Sequence, residues 1–122
     1  MTVRNVESFI AGAWLAPDSS AREIRDAVTG SVMARAGRSS VDAGAMIDHA
    51  TRVGAPALQA MTFHDRARML KALALYLQER KEVLYDLSFS TGATQKDHLI
   101  DVDGGIGTML VVASKGRREM PE

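Results

Sequence analysis

Residues 62–92 read TFHDRARMLKALALYLQERKEVLYDLSFSTG, Thr62 to Gly92. Thr62 followed by an acid three residues on, Asp65, is a helix-capping signal. Leu70, Leu73, Leu77, Leu84 and Leu87 then recur at helical spacing, with Arg66, Arg68, Lys71, Glu79, Arg80 and Glu82 on the other faces. Gly92 stands where a helix would stop. The segment predicts one long amphipathic helix from Thr62 to about Ser90 and carries no chemistry of its own.

The periodicity changes on either side of it. Up to about Arg38 the chain reads as short antiparallel strands. Ser8–Leu15 forms a hairpin broken at Gly12, and Pro17-Asp18-Ser19-Ser20 is turn chemistry. Arg22–Val28 and Ser31–Ala36 are two runs joined by a turn at Thr29-Gly30. From Ser39, with Asp42 three residues later as a weak cap, Met46, Ile47, Ala50, Val53 and Ala57 share a helical face. Gly54 and Pro56 should break or kink that helix. A third helix starts at Thr94 with Asp97, and its apolar residues run from Leu99 to about Ala113. Gly104, Gly105 and Gly107 weaken it by about 1 kcal/mol each relative to alanine, and as a helix they would let another backbone approach closely. The expected class is therefore α+β in one unit: strands over 1–38, helices over 39–115 and a polar tail over 116–122.

The composition bounds function mostly by exclusion. The chain has 122 residues, enough to hide roughly two-thirds of its unfolded surface. Fifteen Lys plus Arg balance fifteen Asp plus Glu, and aromatics make up only 5%. Neither a basic field nor a stacking platform for nucleic acid is present. No apolar run reaches a membrane span and no secretory leader is visible, so the expectation is a cytoplasmic protein without nucleic-acid or membrane partners. The absence of cysteine removes disulfides, thiolate metal sites and a cysteine nucleophile.

Candidate sites fare no better. Asp103-Gly104-Gly105-Ile106-Gly107-Thr108 invites a phosphate-binding reading, but Leu110 stands where a third glycine is needed and no Lys-Ser or Lys-Thr follows. Close helix packing is the preferred reading over a nucleotide site. His98, Asp101 and Asp103 make a weak metal set, better explained by solvent exposure and helix-terminal charge. His64 is a surface or capping residue by default, although histidine is the usual acid–base group. Lys115, Arg117 and Arg118 read as a solvated tail, and Trp14 as core or interface packing. No catalytic, cofactor-binding or metal-ligating residue is assigned.

With these residues in view, Phe9-Ile10-Ala11-Gly12-Ala13-Trp14 resembles the F-I-x-G-x-W opening of the aldehyde dehydrogenase superfamily. Asp26–Val32 resembles its N-P-x-T-G-x-V turn, with Asp26 and Ala27 in place of Asn and Pro. Arg66–Leu70 with Leu77–Glu82 resembles the family's E-R-A-x-x-L helix, and Ser90-Thr91-Gly92 its closing D-T-G. Gly54–Phe63, Thr91–Thr94, Asp103–Thr108 and Arg118–Pro121 resemble members that act in phenylacetate degradation. The resemblance implies part of an α/β aldehyde dehydrogenase fold, NAD(P) as cofactor of the complete enzyme, and covalent catalysis by a cysteine with a glutamate-activated water. None of those motifs is matched here, so the implied role is an inactive N-terminal scaffold. Its partners would be the remainder of the dehydrogenase and further copies in a homo-oligomer. The alternative is a self-standing helical interaction or oligomerisation module without catalysis.

Overall fold

The computed structural model describes residues 3–37 and 40–122, which divide into two compact units, 1–56 and 57–122. The mixed α+β class is as expected.

In the first unit five short strands are β1 (Arg4–Val6), β2 (Ser8–Ile10), β3 (Ala13–Leu15), β4 (Arg22–Arg25) and β5 (Val32–Ala36). The expected hairpin is β2–β3, antiparallel, with Phe9 opposite Trp14. Its two-residue turn needs positive φ at both positions, supplied by Ala11 (φ 50°) and Gly12 (φ 86°). The second expected pair, β4–β5, is also antiparallel. Asp26 builds its turn: the carboxylate accepts from Val28 and Thr29 N–H at 2.8 Å each, and the Asp26 carbonyl accepts from Gly30 N–H. The reading of all strands as antiparallel is corrected at β1, which pairs parallel to β5, Arg4 opposite Ala34. The intervening hairpin and β4 supply the long connection that a parallel pair requires. The centre of β5 buries Ala34 between its two neighbours.

Asp18 ties the Pro17–Ser20 turn to the start of the helical region. It accepts from the Ser20 hydroxyl at 2.5 Å, from Ser20 N–H at 2.8 Å and from the Ser40 hydroxyl at 3.2 Å, and these bonds, the Ser20 hydroxyl foremost, hold its carboxyl well below the usual range. The proposed Ser39 cap lies outside the described residues. Asp42 caps α1 (Ala43–His49), its carboxylate accepting from Ala45 N–H at 3.0 Å. A π-helical turn, Ala50–Gly54, leads into α2 (Ala55–Gln59). Pro56 removes one N–H and crowds the carbonyl four residues back. The chain meets this by widening the turn just before it rather than by breaking the helix.

In the second unit the long helix is two helices. α3 (Phe63–Gln78) begins with the expected capping box, Thr62 and Asp65 satisfying each other's backbone N–H groups. It ends at Glu79, and after Arg80 (φ −117°, ψ 14°) the chain restarts as α4 (Lys81–Phe89). The Arg80 guanidinium lies 3.6 Å from the Tyr76 ring centroid and donates to the Tyr76 carbonyl, which ties off the last turn of α3. Gly92 (φ 85°) closes α4 as expected. A second capping box, Thr94 with Asp97, opens α5 (Gln95–His98), followed by a π-helical turn, Leu99–Asp103, and α6 (Gly104–Arg118). Lys115, Arg117 and Arg118 therefore end a helix, where cations complement its dipole, instead of lying in a free tail.

The core is the α3–α6 contact, and it is built from small residues: Ala67 and Ala74 on α3, Ile106 and Ala113 on α6. The leucine stripe does not form it, since Leu73 and Leu87 are about half exposed, at 48% and 53%. The glycines at the start of α6 are not the close-approach points either. A Cβ on Gly105 or Gly107 would meet nothing within 4 Å, whereas one on Gly116 would stand 3.1 Å from the Ala67 Cβ. Gly116 is where the two helices press together.

Two stability changes test this arrangement by urea denaturation of the chain. Thr62→Ala should cost about 1 kcal/mol through loss of the cap, with Thr62→Ser close to neutral. Gly116→Leu should cost about 2 kcal/mol by overpacking against Ala67, while Gly116→Ala gains helix propensity against the tight contact and should change little.

Candidate functional site

The largest fully buried side chain among the described residues is polar: His98, 1% exposed. This corrects the expectation of a solvent-facing residue. Its ring is stacked on Tyr85, centroids 5.1 Å apart at 21°, and meets Phe89 edge-on at 4.3 Å. Lys81, Tyr85 and Phe89 are spaced four apart and so share one face of α4, a register that brings all three to the α5 side. Sequence reasoning missed them, although that i, i+4 spacing of a cation and two aromatics was there to be seen. His98 Nε2 has no hydrogen-bond partner.

Asp103, at the end of the π-helical turn, joins the same cluster. It accepts from the Tyr85 hydroxyl at 2.5 Å and from Lys81 Nζ at 3.3 Å. Of the sequence set His98, Asp101 and Asp103, the fold brings His98 and Asp103 to the two sides of Tyr85, and Asp101 remains exposed. Among the described residues no group of three His, Cys, Asp or Glu side chains could hold a metal ion.

The electrostatics tie the three polar groups of this cluster together. The Tyr85 hydrogen bond holds the Asp103 carboxyl below its ordinary range, with Lys81 adding to it against a desolvation cost. The same bond to Asp103, with burial, raises the Tyr85 phenol. Hydrogen bonds to Tyr85 and Asp103 raise the Lys81 ammonium. Asp103 is thus kept ionised, while Tyr85 and Lys81 are kept protonated. None of the three is moved toward neutrality, where a general base or an amine nucleophile has to be poised.

The glycine-rich segment does not fit a dinucleotide. Gly104, Gly105 and Gly107 sit inside α6, preceded by a helical turn instead of a strand, and the Thr108 hydroxyl donates back to the Gly104 carbonyl at 2.9 Å. Their backbone geometry continues a helix and forms no phosphate loop. Trp14 is 66% exposed, its ring 5.1 Å from Phe9 across the hairpin, so it packs in no core of its unit. His64 lies at the second position of α3, its ring facing the carbonyl of Met120 and the carboxylate of Glu122.

Because folding lowers the Asp103 value, its contribution to stability is present above the ordinary carboxylate range and fades as pH falls through the lowered one. Urea midpoints for the chain and for Asp103→Asn should therefore differ near neutrality, with the chain the more stable. The gap should close below about pH 4. A gap independent of pH would remove the charge from this account.

Comparison with known proteins identifies the family. The aldehyde dehydrogenase family model matches residues 14–122. A 3,4-dehydroadipyl-CoA semialdehyde dehydrogenase of Aromatoleum evansii is 32% identical over 111 residues, covering 90% of this chain and 22% of that protein. The chain thus spans about a fifth of the length of the curated relative it matches. On both grounds the chain belongs to the aldehyde dehydrogenase family.

Proposed function

We propose that this chain is the N-terminal scaffold of an NAD(P)-dependent semialdehyde dehydrogenase of aromatic catabolism, acting in the cytoplasm within a homo-oligomer. The observation that carries the reading is the 32% identity over nine-tenths of the chain to an enzyme named for a CoA-linked semialdehyde. The likeness of Gly54–Phe63, Asp103–Thr108 and Arg118–Pro121 to the bifunctional phenylacetate-degradation enzyme supports the same metabolic setting. In that enzyme a semialdehyde dehydrogenase module is joined to a ring-opening hydratase-like module.

In this reading the complete protein oxidises a CoA-linked semialdehyde to the acid. The nucleophile is supplied from outside these 122 residues, which contain no cysteine, and so is the cofactor site, which Gly104–Thr108 does not fit. What the chain contributes is position. The β2–β3 hairpin and the closely packed α3–α6 pair are preformed elements against which a cofactor domain can be braced. Their exposed apolar residues, Leu73, Leu87, Val111 and Val112 among them, offer the surface for it.

Purified chain mixed with NADP and a simple aldehyde should give no turnover above blank. Measurable NADPH formation by the pure chain would overturn the scaffold reading. Nucleotide sequence adjoining the coding region should encode a cysteine and a glycine-rich turn downstream. If it does not, and light scattering shows a clean monomer or symmetric dimer with a cooperative melt, the chain is instead a self-standing interaction module.

A further inference from the structure

We propose that a recess between α3 and the last turns of α6 binds the phosphate group of an organic phosphate monoester. The recess measures about 400 Å³ and is lined by Lys71 of α3 and by Leu110, Ala113, Ser114, Arg117 and Arg118 of α6. Three cations and a hydroxyl surround it, Ala113 and Leu110 give it an apolar floor, and no carboxylate lines it. The fold makes this arrangement. Leu110, Ser114, Arg117 and Arg118 recur at i, i+4, i+7 and i+8 and so share one face of α6. Lys71 stands between Ala67 and Ala74, one turn from each, and both alanines are buried in the α3–α6 seam. The close approach at Gly116, 3.1 Å from the Ala67 Cβ for an added Cβ, then brings the cations of the two helices to one place.

Helix-end charge accounts for only part of this cluster. Arg117 and Arg118 complement the α6 dipole, but that dipole amounts to about half a charge, and either arginine exceeds it. Lys71 lies in the middle of α3, where no helix end calls for a cation. Among the described residues none of the three forms an ion pair with a carboxylate. Glu119, the acid next in sequence, lines a different cavity, with Phe63, Arg66 and Met120. Like charges gathered around one recess repel one another, and an anion placed among them converts that repulsion into attraction. A phosphate monoester fits the donors better than a carboxylate does. Near neutrality it carries about two negative charges and three terminal oxygens, a match for two guanidinium forks, an ammonium and a hydroxyl. Leu110 and Ala113 then meet the organic group that the phosphate is attached to.

The test is a titration of the full chain with phenyl phosphate, followed by ¹H–¹⁵N NMR. The amide signals of Lys71, Leu110, Ser114, Arg117 and Arg118 should shift and saturate together, and phenol should leave them in place. Inorganic phosphate should move the same signals with weaker affinity, because it lacks the ring that meets Leu110 and Ala113. Lys71→Gln and Arg117→Gln should each weaken phenyl phosphate binding about tenfold. Lys115→Gln removes an equal charge from a position of α6 that lines the other cavity, and should change binding little. Shifts that never saturate, or a loss in Lys115→Gln equal to that in Lys71→Gln, would reduce the recess to diffuse surface charge and overturn the proposal. Inorganic phosphate bound as tightly as phenyl phosphate would overturn the assignment to a monoester.

Discussion

The helix pair α3–α6 rests on a side chain that is not there. Gly116 lets α6 come so near α3 that an added Cβ would stand 3.1 Å from that of Ala67. At that separation only residues of alanine size fit along the seam, and Ala67, Ala74 and Ala113 supply them, with Ile106 at one end. A seam of this kind gains little from hydrophobic area per residue. It gains instead from close backbone packing, where many weak dispersion contacts add up. The leucines cannot enter it, so they flank it. Leu77, Leu84 and Leu87 line an open apolar groove with Val102, Ile106 and Met109, and Leu70 lines the cavity beside Gly116.

How α6 arrives at that seam is decided at its other end. Asp103 is the last residue before α6 and is tied to Tyr85 and Lys81 on α4, while His98, one π-helical turn earlier, is clamped between Tyr85 and Phe89. From Gly104 to Gly116 an α-helix rises roughly 18 Å. A small change of direction at Asp103 would therefore be a large displacement at Gly116, where there is no room for it. The polar cluster and the alanine seam act together, one aiming the helix and the other accepting it.

The features legible in the sequence were the local ones. Thr62 with Asp65, Thr94 with Asp97, the turn at Thr29-Gly30 and the hairpin at Gly12 each depend on residues within a few positions, and each formed. What stayed hidden depends on distant neighbours. No glycine or proline marks the interruption at Arg80, which is closed off by a stack on Tyr76. His98 looked solvent-facing because its own surroundings, Gln95-Lys96-Asp97, are polar, while the rings that bury it come from α4. The glycine that mattered was the isolated Gly116 in a charged stretch, and the conspicuous trio at 104–107 faces open space apart from a Leu99 carbonyl 4.0 Å from Gly104. Family resemblance, carried by specific residues and not by periodicity, was legible at once, because it needs no knowledge of contacts.

The direction of the charge perturbations bears on what kind of surface this is. Asp18, Asp65, Asp97 and Asp103 are all lowered, mostly by hydrogen bonds to backbone or side-chain donors, and Lys81 and Tyr85 are raised. Each of these shifts favours the state in which the group already makes its structural bond, and each moves it further from neutrality. A catalytic carboxylate or amine is prepared in the opposite sense, by burial or like charge that brings its titration toward the working pH. The ionisable groups resolved here therefore hold caps, turns and helix ends. Their common electrostatic role is to fix local structure.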